Sequence, residues 1–316
     1  MILVVTPNPC LDRTLFVRKN RPGGRMEVEW VQEIAGGKGS NVCRVLRELG
    51  YPAVHLLFLG GYVGERVLAL LEEDGIESVP VWTRALTRVV VTVVDREWHQ
   101  TVYFDPSPAV TPEEEVVFLE KFTELQEKAE MVLLCGSVPA SLPFFYDKIL
   151  ERTPGKRVVI DGRGPVLRSL KHYPWGIKMN RDEAVFTWGE KLKILEDWER
   201  FFGFFCERGV EMVVLTLGER GAIVKTTAGF YRVSSIPVAV VNPVGSGDAF
   251  LGGLVYGMVS SFPVEESLRW AVAAGASNAL VWEAGRVDRA QVETLKAQVK
   301  VEEGMTLREF GVEWVE

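Results

Sequence analysis

Short apolar runs of β-forming residues, each separated from the next by a stretch of helical period, recur along most of this chain. That alternation restricts the fold more than any other feature. Ile2-Leu3-Val4-Val5 opens the series and ends in Thr6-Pro7-Asn8-Pro9. Runs of the same kind occupy residues 54–59, 131–134, 158–160, 177–179 and 212–215. They are continuous rather than alternating, which marks strands covered on both faces. The clearest helix spans 40–49, where Val42, Val45, Leu46 and Leu49 fall at i, i+3, i+4 and i+7 and Gly50 stops it. Residues 64–74, 113–129, 143–152 and 192–208 also read as helices. Strands alternating with helices predict an α/β fold built on a mostly parallel central sheet covered on both faces.

Two regions break the rhythm. Residues 14–17 and 26–34 are β-like with no helix between them. Residues 88–94 and 100–104 read as a hairpin around Asp95-Arg96-Glu97-Trp98. These four pieces predict a small separate sheet. Toward the C-terminus, strands are expected at 222–225, 230–233 and 238–241, followed by one long helical region over 247–282. There is no internal repeat or linker.

With 316 residues the chain is long enough for one principal core and a smaller appendage. A net charge of −7 argues against binding to nucleic acid or an anionic membrane, which needs a positive footprint. The four cysteines form no CxxC pair and sit in or beside apolar runs, as expected in a reducing compartment. With only three histidines and no HExxH, a metal held by nitrogen or sulfur is not expected; oxygen-held magnesium stays open. No basic segment precedes the first apolar run. The longest membrane-span candidate, 236–259, is interrupted by Asn242, Pro243, Ser246 and Asp248. A cytoplasmic location is expected.

The strongest local signal is Asn242-Pro243-Val244-Gly245-Ser246-Gly247-Asp248, where a strand gives way to a helix with an acid in its first turn. Backbone N–H groups at such a turn converge on an anion, and Gly245 and Gly247 remove side chains where a phosphate must approach. Asp248, kept ionised by the helix dipole, can accept the proton of an attacking hydroxyl. A corner whose acid merely complements the dipole has the same pattern. Phe250 stands where a dinucleotide fingerprint needs its third glycine, and no Gly-Lys-Ser/Thr follows as in a Walker loop.

Ala35-Gly36-Gly37-Lys38-Gly39-Ser40-Asn41 also leads into a helix. Lys38 supplies a cation, and Asn41 both donates and accepts toward sugar hydroxyls. Thr216-Leu217-Gly218-Glu219-Arg220-Gly221 follows a strand and suits nucleotide phosphates, although hairpin glycines explain it as well. Asn180 and Glu183 share a face if a helix begins there. They suit water-mediated magnesium or, equally, a helix cap with an acid at its third position. Asp12, Arg88 and Ser137 stand at or near strand ends, where open α/β sheets bind ligands.

Taken in order, these blocks resemble the PfkB carbohydrate kinases, which have the ribokinase-like fold. More narrowly they resemble the 1-phosphofructokinase and tagatose-6-phosphate kinase branch. The resemblance runs from Thr6-Pro7-Asn8-Pro9 and Asp12 through Gly36-Gly37-Lys38-Gly39 with Asn41, Leu59-Gly60-Gly61 and Thr87-Arg88. It continues through Gly136-Ser137-Val138-Pro139, the block from Lys178 to Glu183, and Thr216-Leu217-Gly218. It closes on Val244-Gly245-Ser246-Gly247-Asp248. It implies a single three-layer α/β/α domain over 1–316, with a β-sheet lid from segments about 13–34 and 87–105. Asp248 would be the base, and the amides of Gly245, Ser246 and Gly247 the anion hole. Asp12, Gly37, Lys38 and Asn41 would hold the sugar, with Ser137 beside it and Arg88 on its phosphate. Asn180 and Glu183 would organise Mg2+. Residues Thr216, Leu217, Gly218, Glu219, Arg220 and Gly221, with Gly247, would line the phosphates of ATP, and Asn278 would lie near the adenine. The lid would pair two copies into a homodimer.

The chain departs from the branch in places. Ala35 replaces a common proline, Met179 stands where a proline usually precedes the Asn, and Asp161-Gly162-Arg163-Gly164 replaces Asp-Thr/Cys-Ser-Gly. Ser107 replaces a glycine, and Asn242 stands where much of the wider family has an acid. None removes an implied catalytic group, but they leave the sugar open. The expected reaction is ATP-dependent phosphorylation of a ketohexose monophosphate to the bisphosphate. Fructose 1-phosphate leads as acceptor, tagatose 6-phosphate is next and fructose 6-phosphate third. The alternatives are a non-catalytic sugar-phosphate sensor, disfavoured by the complete Gly-Ser-Gly-Asp turn, and a nucleotide-dependent oxidoreductase, disfavoured by the missing third glycine.

Overall fold

The computed structural model describes residues 1–21 and 23–311. Pro22, in the first expected lid segment, and residues 312–316, in the expected domain span, lie outside the described residues. In chain order the elements are β1 (Ile2–Thr6), β2 (Cys10–Val17), β3 (Val28–Gly36), α1 (Lys38–Glu48), β4 (Ala53–Leu59), α2 (Gly61–Glu73), β5 (Glu77–Trp82), β6 (Arg88–Val94), β7 (Gln100–Phe104), α3 (Pro112–Gln126), β8 (Met131–Cys135), α4 (Phe145–Glu151), β9 (Arg157–Asp161), β10 (Gly176–Asn180), α5 (Arg181–Trp188), α6 (Leu195–Cys206), β11 (Met212–Thr216), β12 (Ala222–Thr226), β13 (Phe230–Val233), α7 (Ser246–Val259), α8 (Val264–Ala279), α9 (Arg289–Leu295) and β14 (Val301–Gly304).

The main sheet has ten strands in the order β14-β13-β12-β11-β10-β9-β8-β1-β4-β5. The pairings from β11 across to β5 are parallel, and β12, β13 and β14 extend that edge antiparallel. Side-chain alternation explains the continuous apolar runs. Ile2 and Val4 of β1 join one core with helices α1, α2, α7 and α8, while Leu3 and Val5 join the other with α3, α4, α5 and α6. Each strand residue therefore has a buried face to fill, worth about 1.5–3 kcal/mol for a Val or Leu side chain. The result is the expected three-layer α/β/α architecture. Among the described residues, no helix is long and apolar enough to cross a membrane.

The small sheet has the order β3-β2-β6-β7, with β2 parallel to β6 and the other two pairs antiparallel. The hairpin between β6 and β7 closes on Asp95, whose carboxylate accepts the N–H groups of Glu97 and His99 at 3.0 Å. Strand β2 begins at Cys10, so Asp12 lies on a lid strand rather than in a loop after β1.

Three sequence expectations need correction. Residues 238–241 are not a strand: among the described residues no strand pairs with them, and Val240 and Val241 are exposed. The region 247–282 is not one helix. Ser261 has a left-handed φ of 60°, and Pro263 brings no N–H, so the chain breaks between α7 and α8. Strands β5 and β14 went unpredicted because both are edge strands with weak patterns; β5 carries Pro80, tolerated only at an edge.

Candidate active site

Because the central strands are parallel, their C-terminal ends open on one edge. The loops leaving β1, β8 and β9 meet there under the lid and enclose a cavity of about 450 Å³. Asp12, Gly37, Lys38, Asn41, Arg88, Ser137, Glu183 and Asp248 all line it. These residues come from β2, the turn before α1, α1 itself, β6, the loop after β8, α5 and α7. The two glycine-rich motifs, some 200 residues apart in sequence, therefore share one cleft, and Asn41 Nδ2 donates to Asp248 Oδ2 at 2.7 Å.

Gly245 caps α7 with φ +84°, a left-handed conformation that a side chain would strain. A Cβ there would also lie 2.9 Å from Ala284 Cβ. Asp248 occupies the third helical position and is buried. The Ser246 N–H bonds the Pro243 carbonyl at 3.1 Å, which removes it from the expected anion hole. The N–H groups of Gly247 and Asp248 belong to the first turn, which has no carbonyl four residues back to accept them. Burial pushes the Asp248 carboxyl up to about 6. Lys38, Lys178 and the Asn41 bond act to lower it, and Asp161 acts to raise it. The carboxyl is ionised at neutral pH, as a base must be, but burial rather than the helix dipole dominates its environment.

Asp12 faces the same cavity, and burial pushes its carboxyl up to about 6 as well; the Cys10 thiol, Arg44 and Arg88 act against that. Arg88 donates to the Asn8 carbonyl at 3.0 Å and stands opposite Cys10 in the β2–β6 register. The Asn8 amide donates to Ser137 Oγ at 3.1 Å. Lys38 is not a free cation. Its Nζ lies 2.7 Å from both Asp161 Oδ1 and Glu183 Oε1, and these carboxylates with Asp248 hold the ammonium charged against the effect of burial.

Asn180 and Glu183 form the reciprocal helix cap recognised as an alternative in the sequence. Asn180 Oδ1 accepts the Glu183 N–H at 2.8 Å, and Glu183 Oε2 accepts the Asn180 N–H at 2.9 Å. Thr216 is the register partner of Asn180 on the neighbouring strand. The turn at 217–221 closes on itself through the Leu217 N–H to the Gly221 carbonyl at 2.8 Å. Glu219 and Arg220 line a separate groove of about 460 Å³ with Arg232, Ser234 and Lys300. Asn278 is fully enclosed: it donates to the Val244 carbonyl at 2.9 Å and to Ser246 Oγ at 3.2 Å, and accepts the Gly285 N–H at 2.7 Å. Its amide thus fastens the Gly245 turn to the 284–285 turn, and this bonding leaves no free amide face for an adenine.

A family model for "pfkB family carbohydrate kinase" matches residues 5–285. The chain belongs to the pfkB family. It is 31% identical over 305 residues to the 1-phosphofructokinase of Bacillus subtilis, covering 95% of this chain and 99% of that one. Phosphofructokinase-2 from Escherichia coli, solved with potassium, superposes with a TM-score of 0.87 at 22% identity, over 94% of this chain and 98% of its own. Ribokinase from Arabidopsis thaliana, solved with ribose and ATP, superposes at 0.75 with 22% identity, over 93% and 98%. The fold is therefore ribokinase-like, and this pfkB protein is an ATP-dependent sugar kinase.

In this pfkB kinase three charged residues of the site carry no role in the sequence analysis. Asp161 ends β9, and Lys178 lies inside β10; Nζ of Lys178 is 2.8 Å from Asp161 Oδ2. A lysine within an apolar strand requires a buried acceptor, so a signal was present. Arg44 is buried in α1 and bonds the Asn41 side chain at 2.9 Å. In sequence it reads as one more polar position on an amphipathic helix.

Proposed function

We propose that this kinase transfers the terminal phosphoryl group of ATP to the free primary hydroxyl of a ketohexose monophosphate, with fructose 1-phosphate as its acceptor. The observation that carries the reading is the convergence of Asp248 and the Lys38–Asn41 turn on one cleft whose lid strand presents Arg88. The 1-phosphofructokinase relative, matched over nearly its full length, supports the choice of sugar.

In this reading Asp248 takes the proton from the attacking hydroxyl as the new O–P bond forms, and the bond from the phosphorus to the departing ADP breaks in line. The first-turn N–H groups at Gly247 and Asp248, with the cations Lys38 and Lys178 nearby, stabilise the charge on the moving phosphoryl group. Asp12, Gly37, Asn41 and Ser137 hold the sugar, and Arg88 holds its existing phosphate. Thr216 and the 217–221 turn carry the nucleotide phosphates.

If magnesium is bound, Asn180 and Glu183 would hold it through water, and it would supply charge neutralisation beside those phosphates. Among the described residues, no three His, Cys, Asp or Glu side chains group so as to hold a metal ion, and both oxygens of Glu183 are already engaged. The donor set fits contact with Asn180 and Glu183 through water rather than direct ligation. We also propose that the chain works as one domain with its lid, as a homodimer through the lid sheet, in the cytoplasm.

A panel of fructose 1-phosphate, tagatose 6-phosphate and fructose 6-phosphate, compared by kcat/KM with ATP, tests the assignment. A preference for either of the other two sugars overturns the acceptor. Absence of ADP release with all three overturns the kinase reading in favour of a sensor.

A further inference from the structure

The side chain of Asn41 has two ends, and its neighbours distinguish them. An ionised carboxylate offers only acceptors and a guanidinium only donors. Arg44 Nη1 donates to Asn41 Oδ1 at 2.9 Å, so the amide must turn its Nδ2 to Asp248 Oδ2, 2.7 Å away. Arg44 lies one helical turn beyond Asn41 on α1, so the two side chains stack on one face.

Arg44 has little freedom to turn. Its side chain is 2% exposed, Nε donates to Asp74 Oδ2 at 2.6 Å, and Nη2 donates to the Ala35 carbonyl at 2.6 Å. Asp74 in turn accepts from Arg286 through its other oxygen, and Arg286 also reaches Glu283 at 3.0 Å. One guanidinium therefore grips the strand end before Gly36-Gly37, the amide of Asn41, and an acid that is itself held by Arg286. Gly285, at φ +78°, brings the 284–285 turn against this point; a Cβ there would lie 2.7 Å from Asn41 Cα.

We propose that Arg44 is a positioning residue for phosphoryl transfer: it fixes the orientation of the Asn41 amide and, through that amide, the carboxylate of Asp248. The proposal rests on the reading of Asp248 as the base. It assigns Asn41 a second task besides contact with the sugar. Without Arg44 the amide oxygen loses its donor, and the Asp248 bond alone orients the amide. A more mobile amide donates less steadily to the carboxylate, which disfavours the ionised form and loosens its aim into the cavity. The charged groups that face Asp248 otherwise are Lys38, Lys178, Asp161 and Asp12, while the side chain of Asn41 bonds Asp248 and Arg44.

A double-mutant cycle tests this. With ATP and the accepted sugar phosphate, Arg44→Met lowers kcat about tenfold or more, moves the acid limb of the pH profile upward, and leaves the KM for ATP within about twofold. In the Asn41→Ala background the same substitution changes kcat by less than about twofold, because its intermediary is gone. An equal loss in both backgrounds, or wild-type kcat in Arg44→Met, overturns the proposal. Should Arg44→Met fail to fold, Arg44→Lys decides. It keeps a cation opposite Asp74, but one ammonium does not hold Asp74, Asn41 and Ala35 together, so kcat falls when measured well below the unfolding temperature of the variant. Wild-type kcat in Arg44→Lys overturns the proposal. Turnover by the wild type with an additive cycle rejects the role of Arg44 alone. A wild type that turns over no ketohexose phosphate rejects the kinase reading and this inference with it.

Discussion

Lys178 places its ammonium 2.8 Å from Asp161 Oδ2, and both side chains are almost wholly enclosed, at 2% and 0% exposure. Lys38 holds the other oxygen of the same carboxylate at 2.7 Å. Two cations thus share one anion beneath the α7 turn, where a Cβ on Gly247 would lie 3.1 Å from Lys178 Nζ. Glu183 takes a second contact from Lys38 at 2.7 Å, so the two cations are balanced by two carboxylates. Asp161→Asn leaves Lys178 without its charge partner and Lys38 with Glu183 alone, and breaking such a buried pair costs about 3 kcal/mol. Urea unfolding at pH 7 should show a loss of that size.

That stability gap has a pH signature. Burial alone would raise the Asp161 carboxyl, but Lys178 and Lys38 outweigh it and hold the group below its ordinary value. A carboxyl depressed in the folded state contributes fully above the unfolded value of about 4, and the contribution is lost as the pH falls through the folded value. The part of the difference between wild type and Asp161→Asn that comes from the Asp161 carboxylate should therefore shrink as the pH falls below about 4. A gap unchanged at pH 3 would count against the pairing as the source.

Asp248 behaves in the opposite sense. Burial pushes its carboxyl up to about 6, so the ionised form that accepts a proton dominates above that pH and disappears below it. The kcat profile should fall on the acid side with a midpoint near 6. Asp248→Asn should lower kcat about 10³-fold with the KM for ATP largely unchanged. Near-normal turnover in that variant removes Asp248 from the chemistry.

Arg88 reaches the cavity from β6 and, among the described residues, donates hydrogen bonds to the backbone carbonyls of Asn8 and Pro9 at 3.0 and 3.4 Å. Its charge is therefore available to a substrate phosphate. Arg88→Ala should raise the KM for the sugar phosphate about 10–100-fold, as expected for the loss of a charge-assisted hydrogen bond, with little change in the KM for ATP. Initial-rate measurements with each substrate varied in turn check this, and an unchanged sugar-phosphate KM refutes it.

The central sheet was legible because a strand buried on both faces must be apolar throughout, as β1, β8 and β11 are. Edge strands escape this constraint: β5 tolerates Pro80, and β14 is half charged. In the site, the glycine turns announced themselves because a backbone that approaches an anion excludes side chains. Asn278 did not, because a buried amide that fastens two turns and an amide that faces a ligand are the same letter in sequence. Arg44 and Asp161 depend on partners 30 and 17 or more residues distant, and only the packed fold reveals those pairs.

The lid shows apolar surface on both faces. Val102 and Phe104 of β7, which line the cavity, are 43% and 67% exposed, so the cleft is open on that side. Strand alternation puts Val31 of β3 and Tyr103 of β7 on the opposite face, exposed at 42% and 60%. A surface of this kind is characteristic of an interface. A second copy's lid is the partner proposed here. The double variant Val31→Glu, Tyr103→Glu places four like charges across a two-fold contact and should convert the dimer to a monomer in sedimentation velocity. If closure depends on the partner, the KM for the sugar phosphate should rise at protein concentrations where the variant is monomeric. A variant that sediments as the wild type does would place any self-association elsewhere.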